Sequence, residues 1–183
     1  MILRTMDHYR SNPQFNKLHI YCGDGKGKTT AALGLAVRMA GAGGKVGILQ
    51  FLKNGSSSEF EVLRYISNIS ILQGVKVNGF VFTMTEIEKE RLKKEQNAAL
   101  ESAFSKSLDL LILDEALGAF ETNTLDISLF LKLIQTKPLP MEIVLTGRNA
   151  PQEIAEKADY IFEVVKIKHP FDMGIVARKG VEY

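Results

Sequence analysis

The chain has 183 residues, a formal net charge of +2, 45% hydrophobic and 24% charged residues. That length bounds it to one domain whose interior needs no staples, and so small a charge excludes an argument for nucleic acid or an anionic membrane as partner. One cysteine excludes an intrachain disulfide, no apolar run approaches the roughly 20 residues of a membrane span, and M-I-L-R-T-M-D-H-Y-R-S-N-P lacks the apolar run of a signal peptide, so a cytoplasmic protein is expected.

Residues 1–16 read as an N-terminal extension and 17–183 as a single domain. Lys17 to Cys22 is the first strand, and C-G-D-G-K-G-K-T-T (22–30) follows it directly. Strand, glycine-rich turn and helix start in that order make a phosphate cradle. The glycines let consecutive N–H groups point inward, the helix start adds its positive dipole end, and Lys28 adds a mobile charge. Thr29 is placed to offer its hydroxyl to a Mg²⁺ riding on the phosphates. The loop is irregular. The usual G-x-x-x-x-G-K-[ST] wants its first glycine at position 22, which holds Cys22, while Gly23 and Gly25 lie inside the loop and Lys26 adds a second cation. With Gly23, Asp24, Gly25, Lys26, Gly27, Lys28, Thr29 and Thr30 as its residues, the cradle suits a long polyphosphate.

A helix is predicted from Lys28 to about Ala42, then a turn at Gly41–Gly44, then a buried strand at Lys45–Leu52 (K-V-G-I-L-Q-F-L). Lys53–Ser58 is a polar loop, Glu59–Ser67 a short helix, and Ile69–Leu72 and Val75–Val77 are strand pieces. Asn78–Thr85 is aromatic and irregular. Thr85 caps a long amphipathic helix to about Ser107, with Glu86, Glu88 and Glu90 in its first turns. Leu108–Asp114 is a second buried strand, Leu125–Gln135 a helix, Met141–Thr146 a strand, Pro151–Lys157 a helix and Tyr160–Lys168 an edge strand. Alternating β and α means a mostly parallel sheet with helices on both faces, and a ligand at the carboxyl ends of the strands.

Two further segments join the cradle. L-L-I-L-D-E (110–115) is an apolar strand ending in two acids, where a carboxylate helps hold Mg²⁺; spacing does not separate Asp114 from Glu115. V-L-T-G-R (144–148) brings Arg148 to the same rim, where a guanidinium clamps phosphate oxygens. Arg38, further along the first helix, is a weaker candidate. No guanine-reading N-K-x-D occurs, no side-chain triad suggests covalent catalysis, and His8, His19 and His169 lack metal-ligand spacing. The residues alone lead to an ATP-type nucleotide with Mg²⁺.

Taken together, G-D-G-K-G-K-T-T (23–30), V-G-I-L-Q-F-L-K (46–53), G-F-V-F (79–82), L-I-L-D-E (111–115), V-L-T-G-R (144–148) and K-H-P-F-D-M-G-I-V-A-R-K-G-V-E-Y (168–183) resemble the P-loop-type ATP:corrinoid adenosyltransferases. The resemblance implies a P-loop NTPase-like (RecA-like) three-layer α/β fold. It implies that cobalt(I) of a corrinoid such as cob(I)alamin attacks the 5′-carbon of ATP and expels tripolyphosphate, in adenosylcobalamin synthesis or salvage. Cobalt is then the nucleophile and no side chain need be one. Thr29 and Glu115 become the implied Mg²⁺ ligands, with Asp114 beside them, and Phe80 and Phe82 lie against the corrin and displace its lower axial ligand. Phe82 stands where tryptophan is common, and Asp24 where asparagine is usual, bringing a negative charge that Lys26 partly offsets. A homodimer, with the N-terminal segment over the partner's site, and a flavoprotein electron donor are implied partners. Two rival classes stay open: a RecA-like ATPase or small-molecule kinase, and a non-catalytic ATP-binding regulator.

Overall fold

The structure is a computed structural model, and it describes residues 16–52, 58–77, 79, 81–136 and 141–181. The expected reach of residues 1–16 over a partner's site falls, apart from Asn16, outside the described residues, as do Phe80, most of the 53–58 loop and the last two residues.

Among the described residues six strands form one sheet: β1 Leu18–Cys22, β2 Val46–Gln50, β3 Ile69–Ile71, β4 Leu110–Asp114, β5 Glu142–Thr146 and β6 Tyr160–Glu163, in spatial order β3-β2-β4-β5-β1-β6. Every pairing is parallel. Parallel strands need crossovers, and helices supply them: α1 Lys28–Gly41, α2 Ser58–Leu63, α3 Glu86–Phe104, α4 Ala116–Glu121, α5 Ile127–Thr136 and α6 Gln152–Ala155. β4 and β5 are buried at all five positions, as central strands covered on both faces must be.

Strand alternation divides the core in two. Leu18, Ile20, Leu49, Leu111, Leu113, Ile143 and Leu145 face α3, α4, α5 and α6, where Leu100, Phe104, Leu117, Phe120, Phe130 and Ile154 are buried. Val46, Ile48, Leu110, Ile112 and Val144 face the opposite layer, where Ala32, Leu33 and Ala36 of α1 meet Phe60 and Leu63 of α2. A third, small cluster of Val77, Val81 and Leu92 is joined to the first through half-buried Leu52. Thr85 caps α3 as expected, in a reciprocal capping box with Glu88.

Several boundaries differ from the sequence reading. Val75–Val77 is not a strand, and α2 stops at Leu63. β6 ends at Glu163 rather than Lys168, because the chain then bends onto the loop after β1: Val164 N donates to Cys22 O at 2.8 Å and Gly25 N donates to Val164 O at 2.7 Å. α4 was not foreseen. Its six residues are too short for a periodic pattern, and it follows β4 through one residue, Glu115, at φ 59°.

Because the strands are parallel, their carboxyl ends share one rim, with Cys22, Gln50, Asp114, Thr146 and Glu163 along it. Gln50 is in register with Asp114, and Cys22 with Glu163.

Candidate functional site

The loop between β1 and α1 is held open by contacts on its outer side. Gly23 N donates to Arg148 O at 2.7 Å, and Gly25 N is bonded to Val164 as above. Gly23 (φ 105°) and Gly25 are pressed so closely on Val164 that a Cβ on either would come within 2.7 Å or less of its carbonyl oxygen. Gly27, at φ 109°, is the N-cap of α1 and provides no side-chain cap. The N–H groups of the first helical turn are therefore left as donors on the rim, at the positive end of the helix. Lys28 folds back, its Nζ donating to Gly25 O at 2.6 Å. The curled loop therefore presents the donors of the first helical turn on the rim, with the Lys28 ammonium folded over Gly25.

Asp24 departs from the expectation of a charge facing phosphate. Its carboxylate accepts Lys166 N–H at 3.0 Å, tying the loop to the segment after β6. Lys166 in turn bonds Asp172 through its Nζ at 2.9 Å. Beside this tie, a cavity of about 470 Å³ opens between Gly25–Lys26 and Val165–Pro170.

The centre of the rim is Asp114, fully buried at 0% exposure. Its Oδ1 accepts from Thr29 Oγ1 and from Thr146 Oγ1, each at 2.7 Å, and its Oδ2 accepts from Gln50 Nε2 at 2.6 Å. Thr146 also accepts Glu115 N–H at 2.9 Å. Thus α1, β2, β4 and β5 are tied through one carboxylate. Sequence reasoning missed Gln50 and Thr146, although both end apolar strands on the rim, and a polar residue at that position was the available signal. Glu115 follows in a left-handed conformation and is half-buried. Spacing did not separate the two acids, and geometry does: Asp114 is the interior anchor, Glu115 the acid at the mouth.

The groups this rim offers are oxygen donors: the Thr29 hydroxyl bonded to the Asp114 carboxylate, and Glu115 as the next residue along the chain. Among the described residues no group of three or more His, Cys, Asp or Glu is arranged to hold a metal. The donor set therefore fits a hard cation shared with phosphate oxygens, the habit of Mg²⁺, rather than one enclosed by protein.

Of the other expected residues, Arg148 reaches the loop through its carbonyl, and its side chain is exposed. Gly147 gives that turn its close seat, since a Cβ there would lie 2.5 Å from Leu117 Cβ. Lys26 and Thr30 are exposed on the loop and first turn. Arg38 is not brought to the cradle: it sits in the last turn of α1, about 15 Å along the axis from Lys28. Phe82 lies on a short 3₁₀ turn, Val81–Thr83, and is 79% exposed. Burial pushes the Cys22 thiol pKa up, and Glu163 nearby adds to this, so the thiol stays protonated.

The family model described as ATP:corrinoid adenosyltransferase BtuR/CobO/CobP matches residues 14–183. A corrinoid adenosyltransferase of Pseudomonas aeruginosa is 33% identical over 170 residues, covering 91% of this chain and 83% of that protein. One from Escherichia coli K12 is 31% identical over 170 residues, covering 90% and 84%. Among solved structures, a KaiC-like protein from Pyrococcus horikoshii OT3 aligns at 15% identity and a TM-score of 0.48, over 85% of this chain and 75% of that one. No helix among the described residues is long and apolar enough to cross a membrane.

Proposed function

The chain belongs to the ATP:corrinoid adenosyltransferase family, and from that premise we propose how its rim carries out the transfer. The reaction moves the 5′-deoxyadenosyl group of ATP to the cobalt of a corrinoid. Cobalt(I) supplies an electron pair to the ribose 5′-carbon, a Co–C bond forms, the C5′–O bond breaks, and tripolyphosphate departs with that bond's electrons. Cobalt ends formally as cobalt(III). The protein's task is to align the carbon with the metal and to stabilise charge on the leaving group.

The single observation that carries the assignment of roles is the tie between the uncapped α1 terminus and buried Asp114 through Thr29. In this reading, backbone N–H groups of Gly23–Thr30 and the ammonium of Lys28 hold the triphosphate, and Arg148 adds a guanidinium from the neighbouring turn. Lys28 exchanges its bond to Gly25 O for phosphate oxygen. Thr29 and Glu115 would hold Mg²⁺, with Asp114 orienting Thr29, and a metal there would supply charge neutralisation for the departing tripolyphosphate. Phe80 and Phe82 meet the corrin, the exposed ring of Phe82 offering an apolar face that excludes the axial ligand. Adenosylcobalamin synthesis or salvage is the setting, a flavoprotein is the electron donor for cobalt(II), and the working form is a homodimer.

The test is to incubate the protein with ATP, Mg²⁺ and chemically reduced cobalamin, then to measure tripolyphosphate and a light-sensitive Co–C product in equal amounts. ADP as the sole nucleotide product rejects the proposal.

A further inference from the structure

Gly25–Lys26 and Val165–Pro170 form the two walls of the cavity beside the loop after β1. These walls are fastened to each other. Val164 N donates to Cys22 O at 2.8 Å, Gly25 N to Val164 O at 2.7 Å, and Lys166 N to Asp24 Oδ1 at 3.0 Å. A short 3₁₀ turn, Pro170–Met173, follows the second wall, and Lys166 Nζ bonds it through Asp172 Oδ1 at 2.9 Å. The result is a recess of about 470 Å³, room for a ligand far larger than one water.

The lining is rich in donors and in positive charge. Lys26, Lys166, Lys168 and His169 line the recess, and no acidic residue does. Asp24 and Asp172, the acids bonded to this segment, are both taken by Lys166. Lys168 has no ion pair among the described residues. The backbone N–H groups of Val165, Ile167 and Lys168 likewise make no hydrogen bond among them. His169 Nδ1 accepts Phe171 N–H at 3.1 Å, so the ring carries its proton on Nε2 and is a donor there. N–H groups and ammonium charge without a carboxylate suit an oxyanion.

Lys26 belongs both to this recess and to the loop read above as the triphosphate's cradle, so an oligophosphate chain in the cradle has the recess beside it. Before transfer that chain is tethered to adenosine, which fixes where it lies. Afterwards it is free to shift, and it carries one more negative charge, on the oxygen that left the carbon.

We propose that this recess is a subsite for the released tripolyphosphate, taking one end of it through Lys168, His169 and the backbone N–H groups of Val165, Ile167 and Lys168. The identity of the ligand rests on the reaction given above; the subsite itself is read from binding alone, so the two can fail separately.

The test titrates inorganic tripolyphosphate, and separately ATP, into wild type, Lys168→Ala, Lys168→Glu and Lys168→Arg by calorimetry without corrinoid. Lys168→Ala should weaken tripolyphosphate about fivefold, as loss of one partly exposed charge-assisted contact does, and Lys168→Glu should weaken it more. Lys168→Arg should stay within about twofold of wild type. ATP should bind all four proteins within about twofold. In the transfer assay, inhibition of Lys168→Ala by added tripolyphosphate should need about fivefold more of it, with the KM for ATP unchanged. Equal tripolyphosphate affinity in wild type and Lys168→Glu overturns the proposal. An equal loss for ATP and tripolyphosphate also overturns it, since Lys168 would then serve the cradle. So does a raised KM for cobalamin with none for cobinamide, which lacks the phosphodiester loop, because the recess would then hold the corrinoid's own phosphate. A wild type that forms no Co–C bond removes the reaction reading, and the tripolyphosphate titrations still decide the subsite.

Discussion

Thr29 donates its hydroxyl proton to Asp114 across 2.7 Å, and so the first turn of α1 is fixed to the end of β4. This one bond makes the cradle and the acidic strand end a single unit. The same carboxylate takes hydroxyl and amide protons from Thr146 and Gln50, so Asp114 is as much a structural node as a member of the site.

Asp114→Ala should therefore cost stability as well as activity. It removes the acceptor of buried Thr146 and of half-buried Thr29 and Gln50, and a buried orphan costs about 1–3 kcal/mol, so urea unfolding should show a loss of about 2 kcal/mol or more. Glu115→Gln, at the half-buried mouth, should change stability by less than about 1 kcal/mol while lowering the transfer rate more than about tenfold. Equal stability losses in the two variants would contradict the division between anchor and mouth.

Glycine substitutions should separate crowding from backbone strain. Gly25→Ala puts a methyl 2.7 Å from Val164 O, forcing the loop off the end of β6, and should weaken ATP binding at least about tenfold by calorimetry. Gly27→Ala meets no neighbouring atom but must hold φ near 109°, which costs about 1–2 kcal/mol. Gly34→Ala, inside α1 with open space around it, should instead stabilise by about 1 kcal/mol. ATP binding by Gly25→Ala as tight as wild type would sink the account of the Val164 clamp.

Phe82→Ala should leave the melting temperature almost unchanged, since the ring is 79% exposed. It should impair the reaction from cob(II)alamin under a mild reductant and spare the reaction with preformed cob(I)alamin. Lys28→Ala should damage both routes. If Phe82→Ala leaves both rates at wild-type values, the aromatic assignment fails.

Acid should weaken one tie at the far end of β1. Burial would push the Asp159 carboxyl up, but bonds from Lys17 Nζ and Leu18 N, each 2.9 Å, outweigh it and hold the pKa below its ordinary 3.8. A carboxyl with a depressed folded pKa adds stability above its unfolded pKa and loses it as pH falls through the folded one. The stability gap between wild type and Asp159→Asn should be flat from about pH 5 to 8 and close as pH drops below about 4. Denaturation curves at stepped pH would measure it; a gap undiminished in strong acid would count against the pair.

Much of this was legible in the residues because its signals are local. The loop is spelled in consecutive letters, and β4 and β5 carry apolar runs (L-L-I-L and I-V-L), so their ends and the two acids after the first run could be placed. The Thr85 cap needed only four residues. What escaped depends on partners far along the chain: Gln50 and Thr146 are ordinary polar residues until β2 and β5 flank Asp114, and Asp24 gains its role only when Lys166 arrives. Arg38 illustrates the opposite case, a charge near the motif in sequence that the helix carries to its other end. The shortened β6 has the same origin, since alternation gave no hint that Val164 would turn onto Gly25.

The position of β1 in the sheet sets an order of events during synthesis. Both its neighbours, β5 and β6, come from the last third of the chain, so the loop leaves the ribosome early and waits for Val164 to clamp it. Until then the loop lacks its Val164 contact, and under the proposed function nucleotide would retain only chains that have already closed the sheet.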